Sequence, residues 1–134
     1  CLAVGLTPNC ELACQLGCDE AYIGELGGRV SIHSSELETT VPGVFIAGDA
    51  SGIEEASTAM LEGRLSGLAV AARIAGQADQ AELEQARTET LAGLAALRAG
   101  PFGAQARSGK SRMREIHAGA VQPALDMMEK GEIE

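Results

Sequence analysis

Apolar and polar positions change their spacing along the chain, and each spacing predicts a different element. Two apolar runs, residues 1–4 and 44–47, lack polar alternation, which is typical of strands covered on both faces. Residues 21–23 and 29–33 flank a loop with a glycine pair and predict a β-hairpin. We therefore expect an α/β fold with a small central sheet from the two runs and a hairpin beside it.

Residues 53–75 predict a long helix built almost entirely of small and apolar residues. Acidic residues stand in its first turn and Arg73 lies near its end, an order that suits the helix dipole. Glycine inside a helix costs up to about 1 kcal/mol relative to alanine. The two internal glycines, Gly63 and Gly67, therefore predict that this helix packs very closely against a neighbour.

The last third of the chain predicts helices. Residues 79–98 form the first of them, and the turn signal at residues 100–103 ends it. A basic patch follows, and residues 118–130 predict a second helix. The basic patch consists of Arg107, Lys110, Arg112 and Arg114. We interpret residues 1–78 as one unit and residues 79–134 as a helical extension, which is either a solvated helical hairpin or the surface for a partner subunit.

Composition narrows the class of protein. The chain has 134 residues, of which 46% are hydrophobic but only 2% aromatic, so alanine, leucine, valine and isoleucine must build the core. A net charge of −9 argues against a nucleic-acid partner. No membrane-spanning run and no signal peptide is visible, and we expect a cytoplasmic protein. The start, an apolar run without a methionine, predicts that the chain is part of a longer one.

Cysteines are confined to the beginning of the chain. A short helix is expected over residues 10–16, with Asn9 as its N-cap and Gly17 after its end. A disulfide scaffold would spread its cysteines along the chain, so a reducing compartment fits better. Two interpretations stay open, ordinary buried thiols or a metal or iron–sulfur site, although the spacing matches no common metal pattern. The four residues are Cys1, Cys10, Cys14 and Cys18.

The candidate chemistry lies where the run 44–47 ends in Gly48 and Asp49, shortly before the long helix. The carboxyl ends of strands are where α/β sheets bind ligands. A carboxylate there can accept hydrogen bonds from sugar or ribityl hydroxyls, and a helix N-terminus offers unpaired N–H groups. The alternative is that Asp49 only caps the helix, and the spacing does not separate the two.

Residues 39–49, TTVPGVFIAGD, closely resemble the second FAD-binding motif of the two-dinucleotide-domain flavoproteins, T-x-x-P-G-[VI]-[FY]-A-x-G-D. Ile46 replaces an alanine of the common form. Residues 3–9, AVGLTPN, resemble the segment that returns from the NAD domain to the FAD domain. Residues 62–67, EGRLSG, are most similar to one branch, which includes opine oxidase, hydrogen cyanide synthase and the sarcosine oxidase alpha subunit. The resemblance spans residues 1 to about 76.

The resemblance implies a C-terminal portion of an FAD/NAD(P)-binding Rossmann-like domain with a helical tail. Asp49 would bond a ribityl hydroxyl of FAD near the pyrophosphate, with backbone of Gly48 and Ala50 beside it. Backbone N–H groups near Ser57 and Thr58 would face the pyrimidine carbonyl of the flavin, where the helix dipole stabilises negative charge. The acids at the helix start, Glu54 and Glu55, would oppose this stabilisation.

The chain has no G-x-G-x-x-G, so the loop that cradles the FAD pyrophosphate is missing, as is an NAD domain. Asp49 supplies about 1.5–3 kcal/mol and the helix end at most about 2 kcal/mol. Micromolar binding needs about 8 kcal/mol. We therefore expect this chain alone to bind FAD weakly or not at all, with the missing FAD and NAD domains or a partner subunit supplying the rest.

Three functions compete. The first is a segment of an FAD-dependent oxidoreductase, with an amine-type donor or NAD(P)H, a place for NAD(P) in the longer protein and unassigned catalytic residues. The second is a non-catalytic assembly module, and open strand edges would favour a homodimer. The third, a phosphate-binding module at Ser51 and Gly52, is disfavoured by the neighbouring acids. His33 and His117 are candidate bases by residue type only, and we expect both at the surface.

Overall fold

The protein is a mixed α/β chain, described by a computed structural model over residues 1, 4–76 and 79–129. These residues contain one antiparallel two-stranded sheet and four α-helices. In chain order the elements are α1 (Glu11–Gln15), β1 (Glu20–Ile23), β2 (Gly28–Ser31), α2 (Ala56–Ile74), α3 (Gln80–Leu97) and α4 (Ala104–Glu129).

The predicted hairpin is confirmed. β1 and β2 pair antiparallel, with Glu20 opposite Ser31 and Ile23 opposite Gly28. A single 3-10 turn over Gly24–Leu26 joins them and ends at Gly27, whose φ of 94° lies in the left-handed region that favours glycine. The glycine pair in the loop was therefore a reliable signal, because the turn requires it.

The predicted central sheet is wrong. Residues 44–47 form no strand, since Phe45 makes only an isolated bridge to Glu38. Val4 is exposed and outside any strand, while residues 2–3 of the other predicted strand lie outside the described part. A strand needs a neighbour along its length, and among the described residues only the segment around Glu38 runs beside residues 44–47.

Helix α1 is shorter than predicted; its end signal at Gly17 is confirmed, but its N-cap residue is Cys10 rather than Asn9. The side-chain oxygen of Asn9 accepts a hydrogen bond from the N–H of Glu11 at 3.2 Å. Gly17, with φ of 83°, follows the helix, and the N–H of Cys18 bonds back to the carbonyl of Ala13 at 3.0 Å. This is a Schellman closure, in which glycine takes the left-handed position.

Helix α2 starts at Ala56, later than predicted, and Arg73 lies in its last turn as predicted. The expected close packing of its glycines is wrong. Both Gly63 and Gly67 are exposed, and no described atom lies within 4 Å of a Cβ built on either. The reason is that the helix buries its opposite side, namely Thr58, Glu62, Leu65 and Ala69.

The tail differs from a solvated hairpin. Helix α3 confirms the prediction for residues 79–98, and a 3-10 turn over Pro101–Gly103 breaks the chain where expected. Helix α4, however, begins at Ala104 rather than near residue 118, so the basic patch lies within it. Helix α3 packs against α2, whereas α4 packs against the turn of the hairpin. No helix in the described ranges is long and apolar enough to cross a bilayer.

Two small apolar cores result. The first lies under the hairpin and contains Ile23, Leu26, Val30, Ile32 and Met113. The second lies between α2 and α3 and contains Leu37, Leu65 and Leu94. Each core includes a residue from beyond position 78, so both cores contain residues from the two predicted units. The division into two units at residue 78 stays a prediction.

The contact between α4 and the hairpin turn yields a stability prediction. A Cβ on Gly109 would lie 2.6 Å from Cγ of Leu26 and 3.1 Å from Cβ of Glu25, whereas Gly63 has open space around it. We expect Gly109→Ala to lower the free energy of unfolding by about 1–3 kcal/mol through overpacking. The matched change Gly63→Ala should raise it by about 0.5–1 kcal/mol. Urea denaturation of both variants measures this, and equal stabilisation by the two would contradict the packing.

Candidate functional site

The Gly-Asp segment forms a tight 3-10 turn over Gly48–Ser51. Gly48 has a φ of 67°, and a Cβ built on it would lie 3.3 Å from Cβ of Ala59 in α2. Its N–H donates to Oε2 of Glu62 at 3.0 Å. The glycine therefore lets the turn close against α2, a reason that sequence reasoning did not provide.

Asp49 lies on the outer side of this turn. Its side chain is exposed, and no group in the described part of the chain hydrogen-bonds its carboxylate. Helix α2 begins at Ala56 with Glu55 at the N-cap position, so Asp49 does not cap it. The capping alternative is thereby removed. Ala50 is half-buried, and its carbonyl lies 3.5 Å from Sγ of Cys10.

The other two predicted cofactor residues, Ser57 and Thr58, lie in the first turn of α2. Their backbone N–H groups precede the first intrahelical bond, which runs from Ala59 N to Glu55 O at 3.1 Å. The hydroxyl of Thr58 donates to the carbonyl of Glu55 at 2.6 Å, and its side chain is buried. A cavity of about 250 Å³ opens beside Thr58, and Arg98 is among the residues that line it.

A buried charged cluster lies behind the turn, centred on Glu62, and we call it the Glu62 cluster; its members are Ser51, Glu54, Glu62, Arg98 and Lys110. Glu62 is 2% exposed, and its two carboxylate oxygens accept from four donors. Oε1 receives Arg98 at 2.7 Å and Lys110 at 2.8 Å. Oε2 receives the N–H of Gly48 and the hydroxyl of Ser51, the latter at 2.5 Å. The cluster thus joins the turn to α2, α3 and α4.

Arg98 also binds Glu54 through two parallel bonds of 2.6 and 2.8 Å. Two carboxylates and two cations therefore balance within the cluster. The expectation that both acids at the start of α2 oppose a bound flavin needs correction, because Glu54 is neutralised by Arg98 and both acids precede the helix. Only Glu55, which is exposed, keeps that effect.

The charged state of the cluster follows from its contacts. Burial alone would raise the pKa of Glu62, but Lys110 and the other donors outweigh it and lower the pKa below the usual range. Burial lowers the pKa of Lys110, and the Glu62 carboxylate opposes that shift. The ammonium group donates to the carbonyl and hydroxyl oxygens of Ser51 at 3.0 and 2.8 Å. All donors of Lys110 are therefore used.

His33 is not at the surface as predicted. It is 3% exposed, and its ring nitrogens lie 3.0 Å from the carbonyl of Ser34 and 3.4 Å from that of Ser51. Burial, with Lys110 nearby, lowers the pKa of His33 to about 4, so the ring is neutral at pH 7. The hairpin position suggested exposure, but α4 covers this side of the chain. His117 is half-buried.

The sequence identifies Gly48 and Asp49 as candidates, but it places the start of α2 at residue 53 rather than 56 and does not identify the Glu62 cluster behind them. A signal was present, since Glu62 shares helical spacing with the buried residues Thr58, Leu65 and Ala69. The sequence places Lys110 in the basic patch of the tail, and the structure buries it, with 7% of its surface exposed.

The cysteines show no disulfide. Cys10 and Cys18 are buried, while Cys1 and Cys14 are exposed. Cys18 donates to the hydroxyl of Thr39 at 3.2 Å. Within the described ranges, no group of three or more histidine, cysteine, aspartate or glutamate side chains is placed to hold a metal ion.

The buried imidazole predicts a pH dependence. Between its unfolded pKa near 6.5 and its folded pKa of about 4, His33 binds protons only in the unfolded state. Stability should therefore fall as the pH falls from 6.5, with a slope that approaches about 1.4 kcal/mol per pH unit. We expect His33→Asn to remove this slope in urea denaturation between pH 6.5 and 5, and His117→Asn to keep most of it. An unchanged slope in His33→Asn would contradict the assignment.

Comparison with known proteins gives one informative similarity. An opine oxidase subunit of Rhizobium meliloti (strain 1021) is 39% identical to this chain over 93 residues. The matched stretch covers 69% of the chain but 20% of the relative, so the chain spans about a fifth of that protein's length. No family model matches the chain. No solved structure matches it either.

Proposed function

We propose that this chain is the C-terminal segment of the FAD-binding, Rossmann-like domain of an FAD-dependent oxidoreductase. The observation that carries the proposal is the Asp49 carboxylate. It is exposed, has no hydrogen-bond partner among the described residues, and lies on a turn that the buried Glu62 cluster holds in place. The similarity to an opine oxidase subunit supports the oxidoreductase class. Together with the motif at residues 39–49, it favours a flavoprotein.

The turn suits the ribityl and pyrophosphate region of the cofactor. Asp49 would accept hydrogen bonds from ribityl hydroxyls, and the backbone of Ala50 would lie beside it. The N–H of Gly48 is already donated to Glu62, so Gly48 would contribute a close approach of the chain rather than a bond. Because the cluster fixes the turn before any ligand arrives, little ordering would be needed on binding.

The start of α2 suits the flavin ring. The N–H groups of Ser57 and Thr58 point out of the first helical turn, where the dipole favours negative charge. FAD, when bound, would be the hydride acceptor, and the donor would be an amine-type substrate or NAD(P)H. The role of α2 would be to stabilise the charge that this adds, and the pairing of Glu54 with Arg98 removes one opposing charge.

The site is incomplete within this chain. The cavity at Thr58 holds about 250 Å³, below the usual range of about 300–1,000 Å³ for ligand pockets. The missing FAD and NAD domains, or a partner subunit, would supply the pyrophosphate loop and any site for NAD(P). A G-x-G-x-x-G in the coding region upstream of Cys1 would support this, and this chain alone should not retain FAD through gel filtration.

The role of Asp49 can be tested in the protein expressed from the whole coding region. We expect Asp49→Ala to weaken FAD binding about 10- to 100-fold, since a charge-assisted hydrogen bond is worth about 1.5–3 kcal/mol. Flavin absorbance per polypeptide after dialysis measures the loss.

The matched control is Asp19→Ala, which removes another exposed carboxylate of the same charge. It should retain FAD as the wild type does. Equal retention by both variants would exclude Asp49 from the cofactor site, and a wild-type protein that never holds flavin would refute the proposal.

A second candidate, a non-catalytic assembly module, is favoured by one face of α2. Small and apolar residues with alternating spacings of four and three follow this face, a spacing typical of helix–helix seams. Met60 is 76% exposed and Ile74 is 83% exposed, so no described residue covers the ends of the seam. We define the α2 seam as Ala56, Met60, Gly63, Gly67, Val70 and Ile74.

The two candidates differ in what covers this seam, the rest of a flavoprotein or a second copy of the chain. The assembly candidate predicts a homodimer that Met60→Glu converts to a monomer, measured by size-exclusion chromatography with light scattering. Thr88→Glu, an exposed change on α3, is the control and should leave the dimer intact. A monomeric wild-type chain would contradict the assembly candidate, while leaving the flavin test unaffected.

A further inference from the structure

A second and larger cavity of about 470 Å³ lies between α3 and α4, and we call it the α3–α4 pocket. Its volume falls within the range of about 300–1,000 Å³ that small-molecule sites occupy. It lies away from the Gly-Asp turn, since neither Asp49 nor the residues at the start of α2 line it. The segment that follows β2, from His33 to Leu37, closes one end.

Two helix faces with the same spacing oppose each other across the pocket. Helix α3 contributes Leu91, Leu94 and Ala95, continued by Arg98 just past its end. Helix α4 contributes positions 107, 110, 111 and 114, which also lie on one helical face. The first face is apolar over most of its length. The second carries Arg107, Lys110 and Arg114, so one wall repels water and the other attracts anions.

The pocket has a positive balance in a chain whose net charge is −9. Four cationic side chains line it, and Glu62 is its only acidic lining residue among the described ones. Both carboxylate oxygens of Glu62 already accept hydrogen bonds, from Lys110 and Arg98 among others. The charge of Arg98 is also balanced by its ion pair with Glu54. Two cations, Arg107 and Arg114, therefore have no carboxylate opposite them in the pocket among the residues that the structure describes. His33 adds no charge because its buried ring is neutral.

Arg107 and Arg114 differ in how they are held. The guanidinium of Arg107 donates to the carbonyl of Arg98, and its other N–H groups have no partner among the described residues. Arg114 is exposed and lies two helical turns further along α4. A planar guanidinium binds a carboxylate through two parallel hydrogen bonds.

We propose that the α3–α4 pocket binds an amphipathic organic anion, a carboxylate attached to an apolar chain of medium length. The apolar part would lie against Leu91 and Ala95, because the other lining leucines, Leu37, Leu65 and Leu94, are only 2–4% exposed. The carboxylate would lie between Arg107 and Arg114 at the mouth. A free phosphate or a polar anion would leave Leu91 and Ala95 uncovered and fits less well.

The test is isothermal titration of this chain with octanoate, with octanamide and with inorganic phosphate. Octanoate and octanamide have the same apolar chain, and only octanoate carries the charge. We expect octanoate to bind about tenfold or more tightly than octanamide, because the amide loses the charge-assisted bonds. Inorganic phosphate should give no measurable heat at the same concentrations.

Variants locate the site. Arg114→Gln should weaken octanoate binding about three- to tenfold and leave octanamide binding unchanged. The control Arg64→Gln removes an exposed cation from α2, away from the pocket, and should change neither. Leu91→Ala should weaken both ligands, because each loses apolar contact. Circular dichroism confirms that the variants fold, and Arg114 is exposed enough for its change to be tolerated.

Three outcomes would overturn the proposal. Equal binding of octanoate and octanamide would show a plain apolar cavity, and phosphate binding as strong as that of octanoate would show a plain anion site. Octanoate affinity that falls as much in Arg64→Gln as in Arg114→Gln would place the ligand elsewhere. None of these depends on FAD, so the result is independent of the proposed function.

Discussion

The carboxylate of Glu62 is the interaction on which the described structure depends most. It is nearly inaccessible to water, and it accepts from a backbone N–H, a hydroxyl, a guanidinium and an ammonium group. Removing one partner of such a buried arrangement leaves the others with unpaired charge, which typically costs about 3–5 kcal/mol. Four elements of the chain are therefore held at one point, and their relative positions follow from it.

This dependence gives the apolar packing a secondary role. The two cores are small and contain few aromatic side chains, as the 2% aromatic content requires. Packing of this kind fixes the area of contact between elements but leaves their orientation loosely defined. Directional hydrogen bonds and ion pairs define it, and Arg98 and Lys110 supply them from the tail.

Local features of the fold were predictable from sequence, and long-range ones were not. The hairpin, the end of α1 at Gly17 and the break before α4 each depend on glycine or proline within a few residues. The failed central sheet depended on strand neighbours that the apolar run at 44–47 cannot specify. The burial of His33 and Lys110 likewise depends on partners far away in sequence, for which no local pattern exists.

The candidate site divides in the same way. Asp49 can be identified from the sequence because the motif at residues 39–49 is contiguous. The residues that support the turn over Gly48–Ser51 are far from it in sequence. Glu62, Arg98 and Lys110 follow Gly48 by 14, 50 and 62 positions. Only a folded chain shows that these residues meet, although helical spacing marked Glu62 as buried.

Glu62 faces two compartments, since it holds the Gly-Asp turn on one side and forms part of the wall of the α3–α4 pocket on the other. A ligand in the pocket that attracted Lys110 would weaken the hydrogen bonds from Lys110 to Ser51. The turn that carries Asp49 would then be held less rigidly. By thermodynamic reciprocity, a ligand bound at Asp49 would change the affinity of the pocket for its own ligand by the same factor. Such a ligand would link the two surfaces energetically through the one carboxylate that they share.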